Sequence, residues 1–204
     1  MNSYDSPVRR RQAKQTRLRI TTGARELFVE HGFAGTTITA IAERAGVAPQ
    51  TVYATFGSKA AVLHALLTGM EEAAGAAAWR DTIAKETDPA RLLQAFAHWT
   101  ASMLGTSKDL IAAARGATSD PALLDLAAEG DAHRRKALES LVARIARADA
   151  LRHGLSRADA VDRAWLLTGV EPFLSAVGVC GWSERTYAEW LAELLRQQLL
   201  DAPG

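Results

Sequence analysis

The chain is poor in the residues that mark several large classes of protein. It has one cysteine, Cys180, in 204 residues, so no intramolecular disulfide can form and no pair of thiolates exists to build a metal cage. A reducing, cytoplasmic setting is therefore expected. Nowhere do 18 consecutive apolar residues occur without a charge, and Arg9, Arg10 and Arg11 are not followed by an apolar run. Neither membrane spanning nor secretion is expected on that pattern. Catalytic hardware is equally scarce. His31, His64, His98, His133 and His153 are scattered, and there is no His-Glu-x-x-His, nucleophile elbow or glycine-rich phosphate loop. Adjacent acids such as Glu71 with Glu72, or Asp159 with Asp162, read as solvated helix faces. The chain is not expected to be an enzyme or to carry a cofactor or metal.

With 48% hydrophobic and 23% charged residues, disorder and miniprotein scaffolds are excluded. Only six prolines are present, 41 residues are alanine, and apolar positions recur at spacings of three and four rather than two. That pattern predicts an all-α protein of about nine helices. Ile20, Ala24, Leu27 and Phe28 form the first stripe, on a helix over roughly 10–31 that ends at Gly32. Ile38, Ile41, Ala42 and Ala45 form a short second stripe, opened by Thr37 as N-cap and closed by Gly46. Pro49 suits the first turn of a third helix whose Val52 and Phe56 face inward. Ser58 caps a fourth helix beginning at Lys59, and alanine-rich 73–78 favours helix continuation. Further starts are expected at Asp88-Pro89, Asp120-Pro121, Ser156 with Asp159, and Ser183 with Glu184. The last two helices are apolar along one side. Val161, Trp165, Val170, Phe173, Leu174 and Val177 mark the first; Tyr187, Trp190, Leu191, Leu194, Leu195 and Leu199 mark the second.

The formal charge of +1 hides an asymmetry. Residues 1–59 hold nine Lys and Arg against four Asp and Glu, whereas the rest hold fifteen against nineteen. Clustered positive charge is the footprint of a nucleic-acid-binding segment, though a solvated basic surface has the same composition. The arrangement within 36–59 is more specific, because two short helices joined at a tight turn with glycine form a helix-turn-helix. Ile38, Ile41, Ala45, Val47, Val52 and Phe56 supply its small core. Gln50, Thr51, Tyr53 and Thr55 are left to face outward, with amides and hydroxyls able to bond base edges or phosphates. Thr37 and Lys59 sit at helix N-termini, where free N–H groups attract phosphate.

The stretch TTITAIAERAGVAPQTVYATFGSKAAVL resembles the TetR family of transcriptional regulators, including its Thr-Val-Tyr step, its aromatic Phe56 and its Ser-Lys pair. The resemblance implies a three-helix DNA-binding head over 1–57 with a basic arm. It also implies a connecting helix and a ligand-binding and dimerisation body over 58–204, with a homodimer formed through the last two helices. By position, Gln50, Thr51, Tyr53 and Thr55 become major-groove readers and Thr37 and Lys59 phosphate clamps. Ala48 stands where the family commonly has serine and Thr55 where it often has histidine. Arg9 to Arg11 and Arg17 fit either an arm reaching an adjacent groove or a basic tail without specific contact.

All five tryptophans lie beyond the head. Helical bodies bind small molecules in apolar clefts with aromatic walls. Phe96, Trp99 and Met103 form one candidate wall, and Trp165, Thr168 and Phe173, with Gly169, another; packed core is the alternative for each residue. The function expected is that of a repressor released from double-stranded, pseudo-palindromic operator DNA by a small, largely apolar effector. An activator or a protein-controlled regulator would use the same head, and an enzyme or pure ligand-binding module is the third class.

Overall fold

The computed structural model describes residues 7–115 and 121–201. The described chain is helical, in the order α1 (Pro7–Gly35), α2 (Ile38–Ala45), α3 (Pro49–Phe56), α4 (Lys59–Ala73), α5 (Ala76–Lys85), α6 (Pro89–Arg115), α7 (Pro121–Arg147), α8 (Arg157–Leu167), α9 (Val170–Leu174) and α10 (Glu184–Leu199). A π-helical turn over Ser175–Val179 continues α9, and one isolated antiparallel bridge pairs Leu151 with Leu200.

Several boundaries follow from side-chain chemistry. Thr37, Ser58, Asp88, Ser156 and Ser183 each accept a backbone N–H of the helix they open, satisfying donors that have no partner inside the helix. Asp120 lies outside the described residues. Inside α1, Gly32 adopts φ 71° and ψ 169°, a conformation open to glycine, so the regular helix stops there and a further turn leads to Gly35. The basic segment expected ahead of the first helix is part of α1 from Pro7 onward, since no glycine or second proline interrupts residues 8–22.

Two expectations about continuity are corrected. The alanine-rich stretch does not carry one helix through, because Gly75 turns to φ 90° between α4 and α5. The stretch from Arg157 to Val177 is likewise broken at Thr168-Gly169. Pro172 is the physical cause: its ring lacks an N–H and crowds the carbonyl four residues back, at Thr168.

By packing, the chain divides into two compact units, Met1–Gly69 with Asp109–Leu126, and Met70–Lys108 with Ala127–Gly204. The sequence division after residue 57 falls at the Ser58 cap of α4. The first unit buries Ile20, Phe28, Phe33, Ile41, Val52, Leu63 and Leu110. The second buries Leu93, Phe96, Leu138, Leu141, Ile145, Phe173 and Tyr187. α10 packs against α8 and the π turn. It turns Tyr187, Leu191, Leu195 and Leu199 inward, all with 0% exposure, the spacing of four that keeps one helical face to a core.

Candidate nucleic-acid interface

The head is built around a tight turn. Gly46, at φ 62° and ψ 44°, donates to the carbonyls of Ala42 and Glu43 and ends α2, and Val47 N–H also reaches the Ala42 carbonyl at 2.9 Å. This left-handed glycine cap closes the free carbonyls of α2 and redirects the chain. Ala48 gives α3 no side-chain cap, but Pro49 at its start removes one of the N–H groups that would need it. Ile41, Ala42, Ala45 and Val52 are buried and Phe56 is half-buried.

Burying Val52 fixes which face of α3 is left to solvent. Gln50 and Tyr53 are exposed, Tyr53 at 50%, while Thr51 and Thr55 are half-buried beside them. Thr55 donates its hydroxyl proton to the Thr51 carbonyl at 2.7 Å, so toward a ligand it offers an acceptor oxygen and a methyl group. Thr37 is exposed with its oxygen on Ala40 N–H at 3.1 Å. These five side chains therefore lie along one helix-turn-helix.

Lys59 is held elsewhere. Its ammonium donates to the carbonyls of Phe33 and Thr36, both at 2.7 Å, and lies 4.2 Å over the Phe33 ring. It stitches the first residue of α4 to the connection between α1 and α2. A phosphate contact by Lys59 would share an ammonium already engaged in this latch.

Three more tethers were not singled out from the sequence. Arg19 donates to the carbonyls of Ala45, at 2.5 Å, and Gly46, at 2.6 Å, which places positive charge at the C-terminus of α2. Thr36, 1% exposed, donates to the carbonyls of Leu27 and Gly32. Arg44 pairs with Glu26 at 2.8 Å and Glu30 at 3.0 Å. That hydrogen bond from Arg44 holds the Glu30 carboxyl below its ordinary value, and Glu30 in turn raises Arg44. Arg17, considered as part of an arm, lies on α1 with its guanidinium 4.3 Å over the Phe56 ring. For Arg19 and Arg44 the local signal is that helix C-termini draw cations; their partners, 14 to 27 residues away, leave no periodic trace.

In the second unit, each expected ligand wall is held by its own neighbours. Phe96 and Trp99 form an aromatic group with Trp79 from α5, and Met103 is half-buried farther along α6. Trp165 is covered by the guanidinium of Arg134, 3.4 Å from its ring centroid, and Arg134 also donates to the Trp165 carbonyl at 2.8 Å. Partial burial pulls the Arg134 guanidinium below its ordinary value, against the opposing effect of Asp131. Thr168 donates to the Ala164 carbonyl, and Phe173 is buried edge-on to Tyr187 at 5.1 Å. A cleft of about 330 Å³ lies apart from both walls, between Pro89 and Leu92 of α6 and Arg144 and Ile145 of α7. Among the described residues no group of His, Cys, Asp and Glu side chains is arranged to hold a metal, and no helix is long and apolar enough to cross a membrane.

Known proteins resemble the chain in two ways. Residues 20–66 match the family described as "Bacterial regulatory proteins, tetR family", a range that covers the second half of α1, all of α2 and α3, and the start of α4. The HTH-type transcriptional regulator UidR of Escherichia coli K12 is 38% identical over 63 residues, 31% of this chain and 32% of that protein. The chain thus matches about a third of the length of this curated relative. Solved structures match more of the chain. NalD, described as the secondary repressor of the MexAB-OprM multidrug efflux pump in Pseudomonas aeruginosa, aligns with a TM-score of 0.74 at 22% identity, covering 95% of this chain and all of that one. FadR from Bacillus subtilis in complex with stearoyl-CoA aligns with a TM-score of 0.72 at 19% identity, covering 89% and 98%. At these identities the structural likeness concerns the fold.

Proposed function

We propose that this chain, which over residues 20–66 matches the tetR family of bacterial regulatory proteins, is a member of that family, a ligand-responsive transcriptional repressor and not an enzyme. The observation that carries the reading is the face of α3. Gln50 and Tyr53 stand at solvent, with Thr51 and Thr55 half-buried beside them, on a helix anchored by the buried Val52. Amide, phenol and hydroxyl groups in that arrangement match base edges and phosphates in a major groove. Exposed cations on α1, among them Arg9, Arg11 and Lys14, add a sequence-independent attraction.

The DNA partner is a pseudo-palindromic operator read by a homodimer in the cytoplasm. Two recognition helices related by two-fold symmetry must meet successive major grooves about 34–36 Å apart, so a small change in their separation costs contacts in both half-sites. Leu166 on α8 and Trp190 on α10, in the two stretches expected from the sequence as the last two helices, are 72% and 38% exposed, which supports pairing through α8 and α10 by apolar contact. Leu191 and Leu195 belong to the chain's own core and do not serve that interface. The likeness of fold to FadR, whose structure holds stearoyl-CoA, supports a small-molecule effector with a substantial apolar part. α4, α6 and α7 each contain residues of both units and provide covalent routes by which its binding reaches the head.

The test is fluorescence anisotropy on the DNA upstream of the protein's own gene, and then on genomic fragments, at two salt concentrations with nonspecific competitor. Specific, salt-sensitive binding is expected. Gln50→Ala or Tyr53→Ala should weaken it by about 1–3 kcal/mol, the scale of one base-edge contact, with the melting temperature unchanged. Absence of specific binding to any fragment refutes the reading. Linkage supplies a second check: an effector that releases DNA must bind the DNA complex less tightly than the free protein.

A further inference from the structure

One cluster in the second unit carries chemistry that its packing leaves unused. Phe96, Trp99, Thr100 and Met103 follow the spacing i, i+3, i+4, i+7 that places side chains on one face of α6. Trp79 of α5 joins them, 5.7 Å from Trp99 in a stack with 14° between the planes, and 5.4 Å from Phe96. Two polar atoms in this group, Trp99 Nε1 and Thr100 Oγ1, are buried without a hydrogen-bond partner among the described residues. Thr100 is 2% exposed. Elsewhere in the second unit, Thr82, Thr106 and Thr168 return their hydroxyls to the carbonyl four residues back; Thr100 does not. A sealed donor without an acceptor is a standing cost, and two on adjacent residues beside stacked aromatics form the combination of apolar wall and orienting polar group that binds small molecules.

We propose that Trp79, Phe96, Trp99 and Thr100 form a binding site for an uncharged aromatic carbonyl compound. The ring packs against the two indoles and Phe96. The carbonyl oxygen accepts from Trp99 Nε1–H and from the Thr100 hydroxyl. The polarity of the ligand follows from the inventory: an indole N–H only donates, so the complementary group must accept. Its lack of charge follows too, because none of these side chains is ionisable and a buried carboxylate there would be unpaired. Trp99 is half-buried, which leaves an approach from solvent. The inference rests on the regulator reading only in taking this ligand as the effector.

Acetophenone and isopropylbenzene, nearly equal in shape, are titrated against the full-length protein without DNA by ligand-observed NMR. Acetophenone should bind at least about five-fold more tightly, the equivalent of one neutral hydrogen bond. Thr100→Val, which keeps the shape and removes the hydroxyl, should weaken acetophenone by about five-fold and leave isopropylbenzene unchanged, with no loss of thermal stability. Trp99→Phe should act in the same direction. Equal binding of the two compounds, binding of neither, or an unaltered acetophenone affinity in Thr100→Val overturns the proposal and leaves the two atoms to solvent water. The operator assay is separate: acetophenone that binds with this discrimination yet does not release DNA leaves the site standing and refutes its role as effector site.

Discussion

Lys59 separates two physical roles for one cation, and Lys59→Met distinguishes them. The substitution keeps the aliphatic stem and removes the ammonium that donates to Phe33 and Thr36 at 2.7 Å and lies over the Phe33 ring. A hydrogen bond from a charged donor contributes about 1.5–3 kcal/mol and a cation–π contact about 0.5–2 kcal/mol. Lys59 is half-buried and the contacts share one group, so the low end applies, giving a loss of about 3 kcal/mol. For a chain of this size that lowers the melting midpoint by roughly 6–12 °C. The assay is calorimetry alongside operator affinity measured across salt. If Lys59 is a latch, the melting point falls and operator affinity drops through disorder of the α1–α2 connection, while the salt slope of the folded fraction stays. If the protein instead melts unchanged and the slope falls by about one, the ammonium works on a phosphate and the latch argument is refuted.

Two further outcomes follow from burial. Leu191→Glu should unfold the second unit, because it places an unpaired carboxylate at a position with 0% exposure, whereas Trp190→Glu should keep its circular dichroism and sediment as a monomer. A folded Leu191→Glu protein, or a dimeric Trp190→Glu protein, would contradict that assignment. Burial pushes the Tyr187 phenol up to about 12. Its raised value means the unfolded chain ionises first, so this contribution to stability is complete below pH 10 and is lost as pH rises toward 12. Phenolate absorbance titration in wild type and Tyr187→Phe checks this, and a Tyr187 signal at about pH 10 in the folded protein would refute it.

The helical class, the turn at Gly46, the Thr37, Ser58, Ser156 and Ser183 caps, and the exposure of Gln50 and Tyr53 on α3 were legible in the residues alone. Each of these depends on residues within about four positions of one another, the range over which helix periodicity and capping act. Where local rules competed, the outcome was less legible. Alanine propensity pointed through residues 73–78, but one glycine at positive φ decided the break, and Pro172 divided a stripe that apolar spacing alone joined. Folding alone set the long-range chemistry. It sent Lys59 to Phe33 and Thr36, Arg19 to the end of α2, and Arg134 onto Trp165. It also turned Leu191 and Leu195 inward while leaving Trp190 at the surface. The reason is physical: a cation finds whichever unsatisfied carbonyl or ring the folded chain brings near it. An apolar stripe likewise states that a face must be covered, without stating whether the chain itself or a partner covers it.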